Sequence, residues 1–202
     1  MNLTGISTLL LDSPFFYRTL RILSRGGRSK YVRDYVRPVA KDKILDIGCG
    51  PADILNYLPD VDYTGFDSNP KYIVAARKRF DNRGNFLCRA VKVDVIQECD
   101  YFDIVLANGV LHHLNDDDAL TLFKLARRSM KANGRLVTLD CCYAEQQSRV
   151  ARFLISKDRG KYARTETGYV ELASKVFSSV KAVIRNDFMR LPYTHIIMEC
   201  SK

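Results

Sequence analysis

The sequence predicts an α/β protein built on a mostly parallel, seven-stranded sheet with helices on both faces. Short β-branched runs alternate with helical patterns along the chain, a glycine-rich turn follows the first run, and the last two runs lack an intervening helix. A chain of 202 residues fits one domain, because domains of about 100–200 residues are the commonest folding units.

Composition places the chain among ordinary globular proteins. It is 47% hydrophobic and 27% charged, contains no apolar run of membrane-spanning length, and begins without the pattern of a secretory signal. Its six cysteines form no CxxC pair, which favours reduced thiols over disulfides or a structural zinc site. We therefore expect a cytoplasmic protein. The net charge of +9 is concentrated in residues 1–43, which carry nine Lys or Arg against three Asp.

The first part of the chain alternates regularly between strand and helix patterns. Short β-branched or apolar runs predict strands at 43–47, 61–66, 85–88, 102–107 and 135–140. Helical patterns fill the gaps at 52–58, 70–80 and 116–130. Asp116, Asp117 and Asp118 suit the positive end of the third helix, and Arg127, Arg128 and Lys131 suit its negative end. This order indicates parallel strands whose carboxyl ends share one edge, where ligands bind.

The last part of the chain predicts helices at 145–156 and 168–176 and strands at 180–185 and 193–200. Residues 186–192 are too few for a crossover helix, so we expect the last two strands to pair antiparallel. The final strand then begins at the edge where its parallel neighbours end. Tyr193 and His195 should therefore lie near the ligand.

Two motifs together indicate a nucleoside site. The turn Asp46-Ile-Gly-Cys-Gly50 lies between a strand and a helical pattern, where glycines let a ligand approach the backbone. Asp67 ends the next strand, 17 residues after Gly50, near the ~20 residues expected for a carboxylate that binds ribose hydroxyls. Taken alone, the turn is an ordinary tight turn and Asp67 is a helix cap.

The residues of these motifs, and their order, resemble those of the class I S-adenosylmethionine-dependent methyltransferases. The family's order is followed by Leu45-Asp-Ile-Gly-Cys-Gly-Pro51, Phe66-Asp67, Phe102-Asp-Ile-Val-Leu106 and Val110-Leu-His-His-Leu114. The resemblance covers about residues 40–142. It implies a Rossmann-like fold in which residues 1–40 form an N-terminal helical lid, 41–142 the cofactor-binding core, and 143–202 the acceptor-side helices and the final strand pair.

The resemblance also implies S-adenosylmethionine as cofactor and a set of binding residues. Its predicted cofactor contacts are Tyr17, Asp46, Gly48, Cys49, Gly50, Asp67, Ser68, Val91, Asp94 and Asn108. In this set Gly48, Cys49 and Gly50 border the methionine moiety and Asp46 orients it. Asp67 holds the ribose. The usual acidic residue for adenine is missing where Val91 stands, so adenine recognition falls to Asp94 or to the backbone around 90–92.

The candidate catalytic residues are His112, His113, Tyr193 and His195. Histidine, with an unperturbed pKa of ~6.5, removes a proton from a hydroxyl or amine acceptor. The alternative is that one of the paired histidines caps a turn and the other packs in the core. Direct displacement on a sulfonium needs alignment above all. We expect no catalytic metal, because Asn108 stands where a metal-dependent relative would place a carboxylate.

Two outer segments are predicted to shape the acceptor pocket. Residues 9–27 place Arg18, Arg21 and Arg25 on one helical face, which fits a lid, a partner helix or peripheral contact with an anionic membrane. Arg159 and Arg164 are candidates to bind a carboxylate or phosphate of the acceptor, or they face solvent. The sequence thus favours transfer to a small molecule, with an anionic group as one option. RNA and a non-catalytic cofactor-binding role are the alternatives.

Overall fold

The computed structural model describes residues 25–91, 98–158 and 160–202. Three predicted site residues, Tyr17, Asp94 and Arg159, lie outside these ranges, as does most of the predicted lid segment, including Arg18 and Arg21. Within the described ranges, no helix is long and apolar enough to cross a membrane.

The sheet has the predicted direction of strands. Its members are β1 (Lys43–Ile47), β2 (Asp62–Asp67), β3 (Asn85–Cys88), β4 (Phe102–Asn108), β5 (Met130–Tyr143), β6 (Arg164–Thr165), β7 (Ser179–Arg185) and β8 (His195–Ser201). Seven of them run in the order β3-β2-β1-β4-β5-β8-β7, and the two-residue β6 pairs with β5 as an eighth. β8 runs antiparallel to both of its neighbours, whereas every other pair is parallel. The mostly parallel α/β fold predicted from the sequence is therefore confirmed.

Helices cover both faces of this sheet. They are α1 (Arg25–Tyr31), α2 (Pro70–Phe80), α3 (Asp116–Ser129), α4 (Arg149–Ser156) and α5 (Glu166–Ser174). Side-chain caps fix where they begin: Asn69 accepts a hydrogen bond from the Lys71 amide, and Asn115 accepts one from the Asp118 amide.

The helix predicted at 52–58 is wrong. The chain forms only a single 3₁₀ turn there, Asp53–Asn56. Ala52 adopts a left-handed conformation with φ of 54°, which a continuous right-handed helix does not allow. Asp53 turns inward, where it is buried and paired with Arg28 and Arg79. The ion pairs with these two arginines hold Asp53 in the turn, and the segment does not continue as an α-helix.

Alternate residues of the strands form two hydrophobic cores. Leu45 and Ile47 pack on the face covered by α3 and α5, whereas Ile44 packs on the face covered by α1 and α2. The parallel strands end at a common edge. His195, the first residue of β8, pairs with Cys141 and Arg185, so the antiparallel strand begins at that same edge.

Candidate active site

A cavity of about 880 Å³ opens along the carboxyl edge of the sheet. Most of the residues predicted for cofactor binding and catalysis line it, namely Asp46, Gly48, Cys49, Gly50, Asp67, Ser68, Val91, Asn108, His112, His113, Tyr193 and His195. The glycine turn and Asp67 lie on one part of the wall, and the histidines and Tyr193 on another. The fold therefore brings the predicted cofactor residues and the predicted catalytic residues into one cavity.

The glycine turn is tied to the end of β2. The backbone amides of Gly48 and Cys49 both donate to the Phe66 carbonyl, at 2.8 and 3.0 Å. Gly48 has φ of +71°, and a Cβ added there would lie 2.6 Å from Cγ2 of Val110. Gly50 has φ of +55°, but a Cβ added there would meet nothing within 4 Å. Its missing side chain leaves open space in which a ligand can approach the backbone.

Asp67 is held in a fixed orientation by backbone amides. Its Oδ2 accepts from the Gly50 amide at 3.0 Å and its Oδ1 accepts from the Asn69 amide at 2.7 Å. A carboxylate has about four acceptor sites, so two amides leave room for the two hydroxyls of a ribose. The geometry of Asp67 thus fits the ribose contact that the sequence predicts.

Asp46 carries an unpaired oxygen in the wall of the cavity. Its Oδ2 accepts from the Tyr63 hydroxyl at 2.6 Å, whereas its Oδ1 is buried with no hydrogen-bond partner in the described part of the chain. Burial raises the pKa of Asp46 to about 7, the hydrogen bond from Tyr63 opposes that shift, and the charge of Asp67 adds to it. An acceptor of this kind fits a cationic ligand, such as the ammonium group of S-adenosylmethionine.

α1 contributes a tyrosine that the sequence reasoning missed. The Tyr31 hydroxyl donates to Oδ1 of Asn108 at 2.7 Å, and the Tyr31 ring lies 6.3 Å from that of Phe188 in an edge arrangement. Phe188 belongs to the connection between β7 and β8 and also lines the cavity. Tyr35 lies in the π-helical turn Val32–Val36 that follows α1, and the i, i+4 spacing of Tyr31 and Tyr35 was the available sequence signal for an aromatic cluster.

The other part of the cavity holds a histidine between two carboxylates. Nδ1 of His112 lies 2.7 Å from Oδ1 of Asp140, and Nε2 of His112 lies 3.3 Å from Oδ1 of Asp158. Burial lowers the pKa of His112, but the hydrogen bonds and charges of the two carboxylates outweigh burial and bring it to about 9. In this arrangement the ring is an imidazolium at neutral pH. A protonated His112 donates to both carboxylates and has no free lone pair with which to take a proton.

Asp158 accepts two further hydrogen bonds. The Tyr193 hydroxyl donates to its Oδ2 at 3.0 Å and the Gly160 amide donates to its Oδ1 at 2.9 Å. Burial raises the pKa of Asp158, yet the hydrogen bonds from His112, Gly160 and Tyr193 hold it well below its usual range. Asp158 is the acceptor-side residue that sequence reasoning missed, because it follows α4 and is far from the paired histidines in the chain.

His195 lies beside this group as a neutral ring. Its centroid is 4.9 Å from that of Tyr193, and its buried Nδ1 has no hydrogen-bond partner among the described residues. Burial lowers the pKa of His195 to about 4. His113 is exposed, and its ring centroid lies 4.1 Å from that of His112.

The structure does not place Arg164 in the cavity. Its guanidinium donates to the Asp116 carboxylate and to the carbonyls of Leu111 and Leu114, at distances of 2.7–3.1 Å. These bonds tie β6 to the turn that carries His112 and His113. The contacts of Arg164 are therefore structural, in contrast to the acceptor-binding role predicted from the sequence.

Comparison with known proteins bears on the same segment. Residues 45–136 match the family described as "Methyltransferase domain". A TehB-like SAM-dependent methyltransferase from Corynebacterium glutamicum has a similar structure, with a TM-score of 0.67, 21% identity, and coverage of 93% of this chain and 96% of that one. A second similar structure is that of geranyl diphosphate C-methyltransferase from Streptomyces coelicolor, solved with Mg²⁺, geranyl diphosphate and S-adenosyl-L-homocysteine. Its TM-score is 0.69 at 12% identity, and the match covers 87% of this chain and 80% of that one.

A third similar structure is that of the mitomycin 7-O-methyltransferase MmcR, with a TM-score of 0.70 and 20% identity. The match covers 97% of this chain but only 60% of that one. At these identities the likeness to solved structures shows the fold.

A cavity at the carboxyl edge of this sheet, in a chain whose residues 45–136 match a methyltransferase domain, supports a methyl-transferring enzyme. This match spans just under half of the chain, and together with the fold it supports the class I S-adenosylmethionine-dependent methyltransferases, the family that the sequence motifs resemble, with S-adenosylmethionine as the methyl donor.

Proposed function

We propose that the protein transfers the methyl group of S-adenosylmethionine directly to a hydroxyl of a small molecule. The observation that carries this proposal is the single cavity that joins the glycine turn and Asp67 to the group formed by His112, Asp158 and Tyr193. A cofactor bound at the first set of residues would extend its methyl toward the second, where hydrogen-bonding side chains are available to align an acceptor.

The reaction requires little covalent chemistry from the protein. A lone pair of the acceptor oxygen forms the new bond to the methyl carbon, the carbon–sulfur bond breaks, and its electrons stay on sulfur as the neutral thioether product. The hydroxyl proton leaves to water or to a cavity side chain. The proposed role of His112 and Tyr193 is to align the acceptor, and His113 and His195 are proposed to align it and to receive its proton.

The charges around the cavity bear on the kind of acceptor. Asp140 and Asp158 together outweigh the one positive charge of His112, so the surroundings of His112 disfavour an anion. An anionic group on the acceptor, if it has one, would bind farther out, near the exposed Lys157 at the cavity wall. The alternation of donors and acceptors at Asp158 and Tyr193 suits a hydroxylated acceptor, such as a sugar or a polyol-like metabolite.

The test of this proposal has two stages. Calorimetry should show binding of S-adenosylmethionine and of S-adenosylhomocysteine, both weakened at least tenfold by Asp67→Asn. Incubation with methyl-labelled cofactor and a panel of hydroxylated metabolites should then transfer label to at least one of them. Binding without transfer would favour the non-catalytic alternative. Transfer only to RNA, with steeply salt-dependent binding, would favour the nucleic-acid alternative.

A further inference from the structure

Three ligand-type side chains of the acceptor region converge without any sequence motif that connects them. One nitrogen each from His112 and His113 and one carboxylate oxygen from Asp158 all lie within 4.8 Å of one another. His112 and His113 come from the turn after β4, and Asp158 comes from the end of α4. Two imidazoles and one carboxylate are ligands that suit divalent first-row transition metal ions.

The spacing within this group matches a metal polyhedron. Bonds of about 2.0–2.1 Å to a tetrahedral zinc ion place neighbouring ligand atoms about 3.3 Å apart. Nε2 of His112 and Oδ1 of Asp158 are 3.3 Å apart, so an ion bound between them would replace the proton that Nε2 donates to Asp158. One ring nitrogen of His113 lies within 4.8 Å of both of these atoms, and the His113 side chain is exposed, so it is not part of the core packing.

The surroundings of His112 supply the outer contacts that metal-binding histidines have. Nδ1 of His112 is bonded to the buried Asp140, which leaves Nε2 directed into the cavity toward Asp158. A carboxylate behind a ligating imidazole is the usual arrangement that orients the ring. Gly160 packs so closely that a Cβ there would lie 2.0 Å from Cδ2 of His112, so the ring position is fixed by backbone.

Tyr193 orients the carboxylate in the same way. Its hydroxyl bonds Oδ2 of Asp158, and this contact leaves Oδ1 on the side of the two histidines. Three protein ligands leave at least one coordination position open toward the cavity.

We propose that His112, His113 and Asp158 form a binding site for a divalent transition metal ion of the zinc type, whose open position takes an oxygen of the methyl acceptor. The binding itself is independent of the proposed function, whereas its part in catalysis rests on that function. A coordinated hydroxyl loses its proton to water more readily, so the ion would prepare the nucleophile where an imidazole between two carboxylates does not.

The experiment uses the full chain with Cys88→Ser and Cys99→Ser, because exposed thiols bind zinc by themselves. Calorimetry with Zn²⁺ should give one site per chain. Co²⁺ should give visible d–d absorption typical of four- or five-coordinate nitrogen and oxygen ligands. His113→Ala changes an exposed side chain, so it should leave the fold intact while weakening Zn²⁺ binding at least tenfold. Asp158→Asn should do the same.

Two further variants separate a built site from adventitious binding. His195→Gln removes the third histidine of the chain without touching the ligands, so it should leave Zn²⁺ affinity unchanged. Asp140→Asn should weaken Zn²⁺ about 10–100-fold, as loss of an outer-shell carboxylate does. The proposal is overturned if Zn²⁺ does not bind, or if its affinity is the same in His113→Ala as in the parent.

Binding of S-adenosylhomocysteine, measured on the same samples without metal, keeps the two proposals distinct. Cofactor binding without Zn²⁺ binding would remove the metal site and leave the proposed function standing. Zn²⁺ binding without cofactor binding would leave the metal site standing and contradict the proposed function.

Discussion

At the scale of single residues, Asp46 combines a predicted contact to the cofactor with a cost in stability. It is buried, and one of its oxygens lacks a hydrogen-bond donor within the described structure. In the folded chain its pKa is raised to about 7, against about 3.9 for an unfolded aspartate. The folded state therefore binds more protons between these values, and stability falls as the pH rises from about 4 to 7.

Asp46→Asn should remove this pH-dependent loss. Asparagine keeps an oxygen for the Tyr63 hydroxyl without a buried charge, so the free energy of unfolding at pH 8 should rise by up to about 4 kcal/mol. The gain should shrink toward pH 5, and cofactor affinity should fall. Urea unfolding at both pH values, with calorimetry of cofactor binding, measures these effects. Asp53→Asn is the matched control: Asp53 is buried but paired with Arg28 and Arg79, so this variant should be destabilised. Stabilisation of both variants would contradict the assignment.

The two glycines of the turn should respond differently to alanine. Gly50→Ala meets open space and costs only the left-handed backbone strain, about 1–2 kcal/mol. Gly48→Ala adds a 2.6 Å contact with Val110, for a total of about 2–4 kcal/mol. Both should weaken cofactor binding at least tenfold, because the predicted cofactor site includes the open space beside Gly50. Thermal unfolding and calorimetry separate the two effects. Normal cofactor affinity in Gly50→Ala would show that the cofactor lies elsewhere.

The positions of the glycine turn and of Asp67 at the ends of strands could be predicted from local sequence, whereas their roles in binding stay predictions. The turn 46–50 and Asp67 are short-range features, since each follows directly from the end of a strand. Asp158 and Tyr31 are long-range features: their contacts with His112 and Asn108 depend on how α4 and α1 pack on the sheet. The spacing of residues in the sequence does not predict how these helices pack on the sheet.

At the scale of elements, the wall formed by α1 and the β7–β8 connection is the least predictable part of the site. Gly27 packs against the Phe188 backbone so closely that a Cβ would lie 2.0 Å from the Phe188 carbonyl oxygen. Lys30 and Asp187 form an ion pair between the same two elements. The basic helix predicted at 9–27 lies mostly outside the described residues, and the element that packs against α1 comes from near the other end of the chain.

Phe188→Ala should therefore affect stability and cofactor binding together. Loss of a buried phenylalanine costs about 3–5 kcal/mol, and Tyr31 loses its aromatic neighbour in the cavity wall. Phe177→Ala is the matched control, since Phe177 is equally buried but packs with Phe123 in the opposite core. Both variants should unfold at lower urea, and only Phe188→Ala should bind S-adenosylhomocysteine several-fold more weakly. Equal cofactor affinities would indicate that this wall does not contact the ligand.

At the scale of the whole molecule, alternation of strand and helix patterns predicted the parallel sheet, and a connection too short for a helix predicted the antiparallel end. Both follow from chain geometry rather than from particular side chains. The prediction of a helix at 52–58 failed because tertiary contacts decide the local structure: Arg28 of α1 and Arg79 of α2 pair with Asp53 and hold it in a tight turn.

The cavity touches α1, the ends of β1, β2, β4 and β5, and the β7–β8 connection, so ligand binding should stabilise the fold as a unit. S-adenosylhomocysteine at 100 times its Kd adds about 2.7 kcal/mol, which for a chain of this size raises Tm by about 5–11 °C. Differential scanning calorimetry with increasing ligand measures the shift. Adenosine alone fills only the part of the cavity around Asp67 and should need a higher concentration for the same shift. Asp67→Asn should lose most of the response at equal ligand concentration. A Tm that S-adenosylhomocysteine leaves unchanged in the parent chain would contradict the placement of the cofactor along this edge.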